Sequence, residues 1–179
     1  MRLYQLPGAL VRTEINPQSV MGKPLTTLET FGLAPAAKLA AGKPLAMFFF
    51  DARQRPSRHQ AEGLAAKAEL WKKSGLVILM VIPGGQAGKA SGDWLDAHHL
   101  PRVVASLPAD EILAQRCRAR WGVTALPHIV LTDVSHTVIA EGISVERLEA
   151  LLNASGDAAE PAQAATAEKP APAPAGENQ

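Results

Sequence analysis

Few side chains in this sequence are equipped for bond-making chemistry, and their spacing limits what they can do. Cys117 is the chain's one cysteine, so no intramolecular disulfide forms and no cysteine-based zinc or iron–sulfur cage can be built from this chain alone. Arg53, Arg55, Arg58 and His59 crowd one short stretch at the start of a helix-like segment. Such a cluster suits a carboxylate, a phosphate or an acidic partner segment, or it stands as a solvated basic loop. Ser57 lies within it, but a serine nucleophile needs a base held against it, and His59, two residues on, does not share its side of a helix. Gln60, three residues after Ser57, predicts instead a capping box in which each side chain bonds the other's backbone N–H, worth about 1 kcal/mol. Pro83–Ser91, PGGQAGKAS, follows an apolar run as a phosphate loop would, yet Pro83 stands where the first glycine is required and Ala90 where Ser or Thr must follow the lysine. His98 and His99, with Asp93 and Asp96 upstream, offer metal-ligand atoms, but adjacent helical residues point about 100° apart and rarely share an ion. The residues imply no metal and no cofactor.

These groups must be carried by an α/β framework. Leu45–Phe50 and Leu76–Ile82 are near-continuous apolar runs, as expected of strands covered on both faces. Ala61, Leu64, Ala65, Ala68 and Trp71 fall between them at helical spacing, which predicts a parallel β-α-β crossover. Ile112, Leu113, Cys117 and Trp121 predict a second helix ended by Gly122, with that stripe on the core, and Val145, Leu148, Leu151 and Leu152 predict a terminal one. His128–Asp133 and Thr137–Glu141 read as two short strands joined through Val134, Ser135 and His136 as a hairpin.

Two strings resemble a known family. GKPLAMFFFDARQRPSR at Gly42–Arg58 and AQRCRARWGVTALPHIVLTD at Ala114–Asp133 are similar to the TlpA-like, redoxin (AhpC/TSA-related) branch of the thioredoxin superfamily. That branch typically reads GKPVLLNFWASWCPPCR and then VAKAYGVRGVPTTFLID. Gly42-Lys43-Pro44 and Pro56 fall in register without a gap, and Gly122-Val123 is followed four residues later by Pro127. Met21–Leu39 is similar to the branch's N-terminal extension. The resemblance implies a thioredoxin-like fold: a central mixed sheet flanked by helices, covering residues 21–153, with an N-terminal extension at 1–20.

The resemblance also implies a C-x-x-C at the N-terminus of the first helix, where free N–H groups and the helix dipole stabilise a thiolate. Here the four positions are Gln54, Arg55, Pro56 and Ser57, and the tryptophan that usually precedes them is Arg53. Thiol–disulfide exchange needs a thiolate attacking sulfur, so neither dithiol exchange nor a redoxin-type peroxidase step can run there. The resemblance makes Pro127 a cis-proline beside that loop, able to hold an extended partner strand or simply to preserve the fold. Arg53, Arg55, Pro56, Arg58, His59, Leu126, Pro127 and His128 are therefore the candidate binding residues. Cys117 has two readings: a buried small hydrophobe, which its place on the stripe favours, or a redox thiol assisted by Arg116, Arg118 and Arg120.

Charge narrows the class of partner. With 18 Lys+Arg against 17 Asp+Glu, the chain lacks the concentrated basic excess of a nucleic-acid binder. Residues 154–179 are rich in Ala, Pro and acids and carry no aromatic or branched aliphatic residue, so a disordered tail is expected. The longest apolar run, Leu76–Pro83, is far shorter than the roughly 20 residues of a spanning helix. Arg2 is followed by no apolar signal core, which makes a cytoplasmic location the default and a periplasmic one the alternative if an export signal has been removed. The expected function is a redox-inactive thioredoxin-fold module that binds a protein partner or an acidic, extended peptide. The alternative is a thiol-dependent oxidoreductase using Cys117.

Overall fold

The two apolar runs become the middle of a five-stranded sheet. The computed structural model describes residues 19–25, 40–100 and 104–157; most of the expected N-terminal extension and residues 158–179 of the expected tail lie outside them. Strand β1 (Leu45–Phe49) pairs in parallel with β2 (Val77–Ile82) in the register Met47↔Leu79, and β2 pairs in parallel with β3 (Val104–Ser106). On its other side β1 meets β4 (His128–Thr132) antiparallel, Phe49 opposite His128, and β4 forms a hairpin with β5 (Val138–Glu141). The order is β3-β2-β1-β4-β5, a mixed sheet.

Successive side chains of a strand point to opposite faces, and both faces of β1 are covered, which is why its sequence does not alternate. Ala46 and Phe48, with Phe50 just past the strand, pack with α1 (Arg55–Ala66), α2 (Ala68–Lys73), α3 (Gly85–Ala97) and α5 (Val145–Asp157) through Leu64, Trp71, Leu95 and Leu148. Leu45, Met47 and Phe49 pack on the other face with Ala114 of α4 (Glu111–Arg120) and with Trp121 and Val123.

Four details depart from the sequence pattern. The single helix expected through Ala61 and Trp71 breaks at Lys67. The buried Trp71 indole donates to the Leu64 carbonyl at 2.8 Å, and Lys67 N–H turns back to that same oxygen, so the carbonyl no longer carries a regular helical ladder. In α4, Ile112 and Leu113 are exposed rather than buried. Asp110 caps this helix by accepting from Leu113 N–H, and with the inward face set by Ala114 and Trp121, Ile112 lies about 200° round the axis. The last helix continues to Asp157, into the expected tail. Finally Val20, the last residue of the expected extension, is buried in the second core.

The outer edge of β5 is not left open. Gly22 N–H donates to Val138 O (2.8 Å), Val138 N–H to Lys23 O (3.0 Å) and Leu25 N–H to His136 O (2.8 Å), which blocks edge-to-edge pairing there. Among the described residues no helix is long and apolar enough to cross a membrane.

Candidate functional site

The carboxyl ends of β1, β2 and β3 open onto one groove of about 510 Å³, the crevice in which open α/β sheets receive ligands. One wall is the β1–α1 turn with Asp51, Arg53 and Gln54; a second is Pro83–Ala87 at the start of α3. Pro108, Ala109 and the Glu111–Ala114–Arg118 face of α4 form the third, and Val123–Leu126 close the end.

Helix α1 starts one turn earlier than the capping box requires. Gln54 is its N-cap, extended at φ −96°, ψ 123°, with no side-chain cap bond, and Pro56 sits in the first turn, where its missing N–H costs nothing. Ser57 is therefore helical, fully buried, and its Oγ has no hydrogen-bond partner among the described residues. Gln60 does not reach back to it; Gln60 Oε1 accepts from Val145 N–H at 3.0 Å, capping α5 instead. The expected capping box is replaced by a tie between two helices, which Lys67 and Glu149 reinforce as an ion pair.

The basic cluster is less electropositive than its sequence suggests, because the fold supplies partners. Asp51, buried at the end of β1, accepts a forked contact from Arg53, Nε to Oδ1 at 3.0 Å and Nη2 to Oδ2 at 2.7 Å, and also the Arg53 backbone N–H. The Arg53 side-chain hydrogen bonds hold the Asp51 carboxyl below the ordinary carboxylate range, against the opposing effect of burial. Arg58 turns inward and donates to the Ala52 carbonyl at 2.5 Å, while Ala52 N–H donates to the buried Ser91 Oγ of α3. Arg55, Pro56 and His59 remain exposed on α1.

The Leu126–Pro127 peptide bond is cis, and Leu126 lines the groove. His128, expected as a contact residue, is buried instead: it opens β4, stands edge-on to Phe49 at 6.3 Å between ring centroids, and its Nε2 has no partner among the described residues. Burial pushes its pKa below the ordinary imidazole value, with Glu141 pulling the other way. A group whose folded pKa is depressed contributes stability that is complete above its unfolded pKa, about 6.5, and is lost as pH falls through the folded value. His128→Leu is therefore expected to remove part of the stability loss between pH 7.5 and pH 5, read as a smaller drop in urea midpoint than in the wild type.

The groove thus unites Arg53, Gln54 and Leu126 among the sequence candidates, and leaves Ser57 and His128 in the interior. Cys117 is half-buried beside the second core, and burial raises its thiol pKa, opposed by Arg120 and Arg118. His98 stacks on Trp94, centroids 3.9 Å apart, with Nδ1 on the Trp94 carbonyl. Asp51 and Glu111 were not among the sequence candidates, and the Gly84–Ala87 wall belongs to the Pro83–Ser91 segment that fails the phosphate-loop pattern; an acid directly after the apolar run ending at Phe50 was the one available signal for Asp51.

No family model matches the sequence, and no curated protein matches it. Solved structures do. A thiol:disulfide interchange protein from Bacteroides sp. superposes with TM-score 0.55 at 17% identity, over 70% of this chain and 80% of that one. The thioredoxin domain of a thiol-disulfide oxidoreductase from Bacteroides vulgatus gives 0.53 at 18%, over 65% and 81%. A DsbF homologue from Corynebacterium diphtheriae gives 0.51 at 14%, over 66% and 75%. The chain has the thioredoxin-like fold.

In this thioredoxin-like domain β1, α1, β2, α4, the β4–β5 hairpin and α5 stand in the order that the two sequence strings imply. The groove lies where α1 begins and is closed by Leu126, which Pro127 separates from β4. A polar trough of this kind, with two arginines, two acids and two backbone turns on its walls, suits an extended polar ligand better than an apolar one.

Proposed function

We propose that this thioredoxin-like domain is a redox-inactive binding module that holds an extended, acidic segment of a protein partner in the groove bounded by Arg53, Gln54 and Leu126. The observation that carries the reading is that the groove is formed at the start of α1 while the side chains there are Gln54 and Ser57, neither of which takes part in exchange on sulfur. The chain's one sulfhydryl does not line that groove, and a thiol whose pKa is raised by burial is a poor nucleophile at neutral pH. In this reading the backbone at Leu126, beside the cis-proline, pairs with the extended segment, and side-chain contacts on the groove walls give selectivity.

Two measurements test this reading together. Insulin reduction and peroxide removal by the purified chain are expected to match a Cys117→Ser control. A photo-crosslinking amino acid in place of Gln54, introduced in the native cell, is expected to capture a defined partner, and the capture is expected to fall when Leu126→Arg blocks the groove. Turnover above the Cys117→Ser control, or rapid alkylation of Cys117 in the native fold, overturns the redox-inactive reading in favour of a one-cysteine oxidoreductase.

A further inference from the structure

Four charged side chains line the groove: Asp51, Arg53, Glu111 and Arg118. Arg53 is pinned to Asp51, and Arg118 Nη2 donates to Glu111 Oε1 at 2.6 Å. Weaker attractions run between the pairs, Arg118 favouring the charged form of Asp51 and Glu111 that of Arg53.

The pairs differ in how firmly they are held. Asp51 is buried and grips Arg53 through both carboxylate oxygens. In the other pair the positions are reversed: the Arg118 side chain is 21% exposed, whereas Glu111 is 80% exposed. A sheltered guanidinium held through a single N–H by a carboxylate that reaches in from water can turn its fork to a better-placed carboxylate once that contact is released. Releasing Glu111 costs little, since an exposed ion pair contributes about 0 to 1 kcal/mol and a free Glu111 still sits in the first turn of α4, where a negative charge is favoured.

We infer that Arg118 is the anchor of a carboxylate subsite in the groove and that Glu111 occupies it as an internal stand-in, so that an acidic side chain of the partner segment binds by exchanging with Glu111. This inference rests on the module reading above and adds its regulation: the chain's own acid neutralises Arg118, and only a carboxylate presented on a segment long enough to gain further groove contacts displaces it. A weakly held competitor of this kind lowers affinity for stray anions and leaves affinity for the correct segment to be set by the remaining contacts.

The test titrates the full chain with three probes: an acetylated and amidated peptide alternating Glu with Ser, the same peptide with Gln for Glu, and inorganic phosphate. Glu111→Gln is expected to tighten the Glu peptide up to about fivefold, the equivalent of losing one exposed competing ion pair, and to leave the Gln peptide unbound. Arg118→Gln is expected to abolish the gain; should that variant fail to fold, Arg118→Lys, which keeps the charge and loses the fork, is expected to weaken binding several-fold. Equal affinity in wild type and Glu111→Gln, with the Gln54 cross-link intact, overturns the exchange while the module reading stands. Loss of the cross-link in the wild type overturns both. Phosphate binding Glu111→Gln as tightly as the Glu peptide overturns the assignment to a protein segment.

Discussion

Installing cysteines by Gln54→Cys together with Ser57→Cys is expected to turn an inert chain into a measurable disulfide reductase, with insulin reduction at pH 7 rising about tenfold or more above wild type. Gln54 is the uncapped N-cap of a 12-residue helix, so a thiolate there meets unpaired N–H groups and the positive end of the dipole. Bringing a thiol from pKa about 8.5 to about 7 raises its ionised fraction at pH 7 from roughly 3% to half, about fifteenfold more attacking species. Arg53 adds little to this, because its charge is already committed to Asp51. The second position is equally prepared: Ser57 is fully buried with an unpartnered hydroxyl, and a thiol loses less than a hydroxyl from that environment. Gln54→Cys alone is expected to form mixed disulfides with the substrate and stall, since release requires attack by a second thiol. The single variants are therefore the controls that separate turnover from simple reactivity. A folded double variant at wild-type background would mean that the α1 start has diverged from a geometry that supports exchange, and that the missing sulfurs are not the whole difference.

The central strands were legible because burial on both faces leaves a continuous apolar string: Leu45–Phe50 and Leu76–Ile82 carry it, and the parallel crossover between them follows. Helix α3 was legible only at its His98 end, because Gly85, Gly88 and Gly92 lower its propensity and its place is decided by packing. Strand β3 is three residues long, too short to show a period. In α4 the apolar letters pointed to the wrong side: Ile112 and Leu113 face water, and a helix carrying Arg116, Arg118 and Arg120 has little amphipathic signal to set its phase. The candidate site divides the same way. Gln54, Ser57 and Pro127 were found because they occupy fixed offsets in a string. The Asp51–Arg53 fork and the Glu111–Arg118 pair depend on which rotamers the fold brings together, and Glu111 and Arg118, two helical turns apart, lie outside the three- and four-residue spacings at which helical pairs are usually sought. Ser57 shows the converse error: the capping letters were present, but Pro56 suits the first turn, the helix begins before Ser57, and Gln60 is taken by Val145.

Two alanines in one helix region are expected to move stability in opposite directions. Gly84 precedes α3 with an extended backbone, φ −84° and ψ 174°, which any residue adopts, so conformational freedom is not what glycine provides there. Space is. A Cβ on Gly84 would lie 2.5 Å from Ala109 N, Leu107 O and Pro108 C, all backbone atoms of the β3–α4 connection, and none can swing aside as a side-chain tip would. That connection is itself held, with Leu107 N–H on the Ile82 carbonyl at 2.8 Å and Asp110 capping α4. Gly84→Ala is expected to cost about 3 kcal/mol or more, the upper range of overpacking, read as a lower urea midpoint. Gly92 lies in the same helix with nothing within 4 Å of its Cβ position, so Gly92→Ala is expected to gain about 1 kcal/mol from helix propensity alone. The contrast reaches function because the backbone that must move to accommodate a methyl at Gly84 carries Pro108, Ala109 and Glu111 on the groove wall. At a temperature where Gly84→Ala is still folded, its affinity for the acidic peptide is expected to fall, whereas Gly92→Ala binds as wild type. Equal stability of Gly84→Ala and wild type would show that the β2–α3 and β3–α4 turns are not in contact, and with that the rigid wall against which Arg118 presents its guanidinium would be gone.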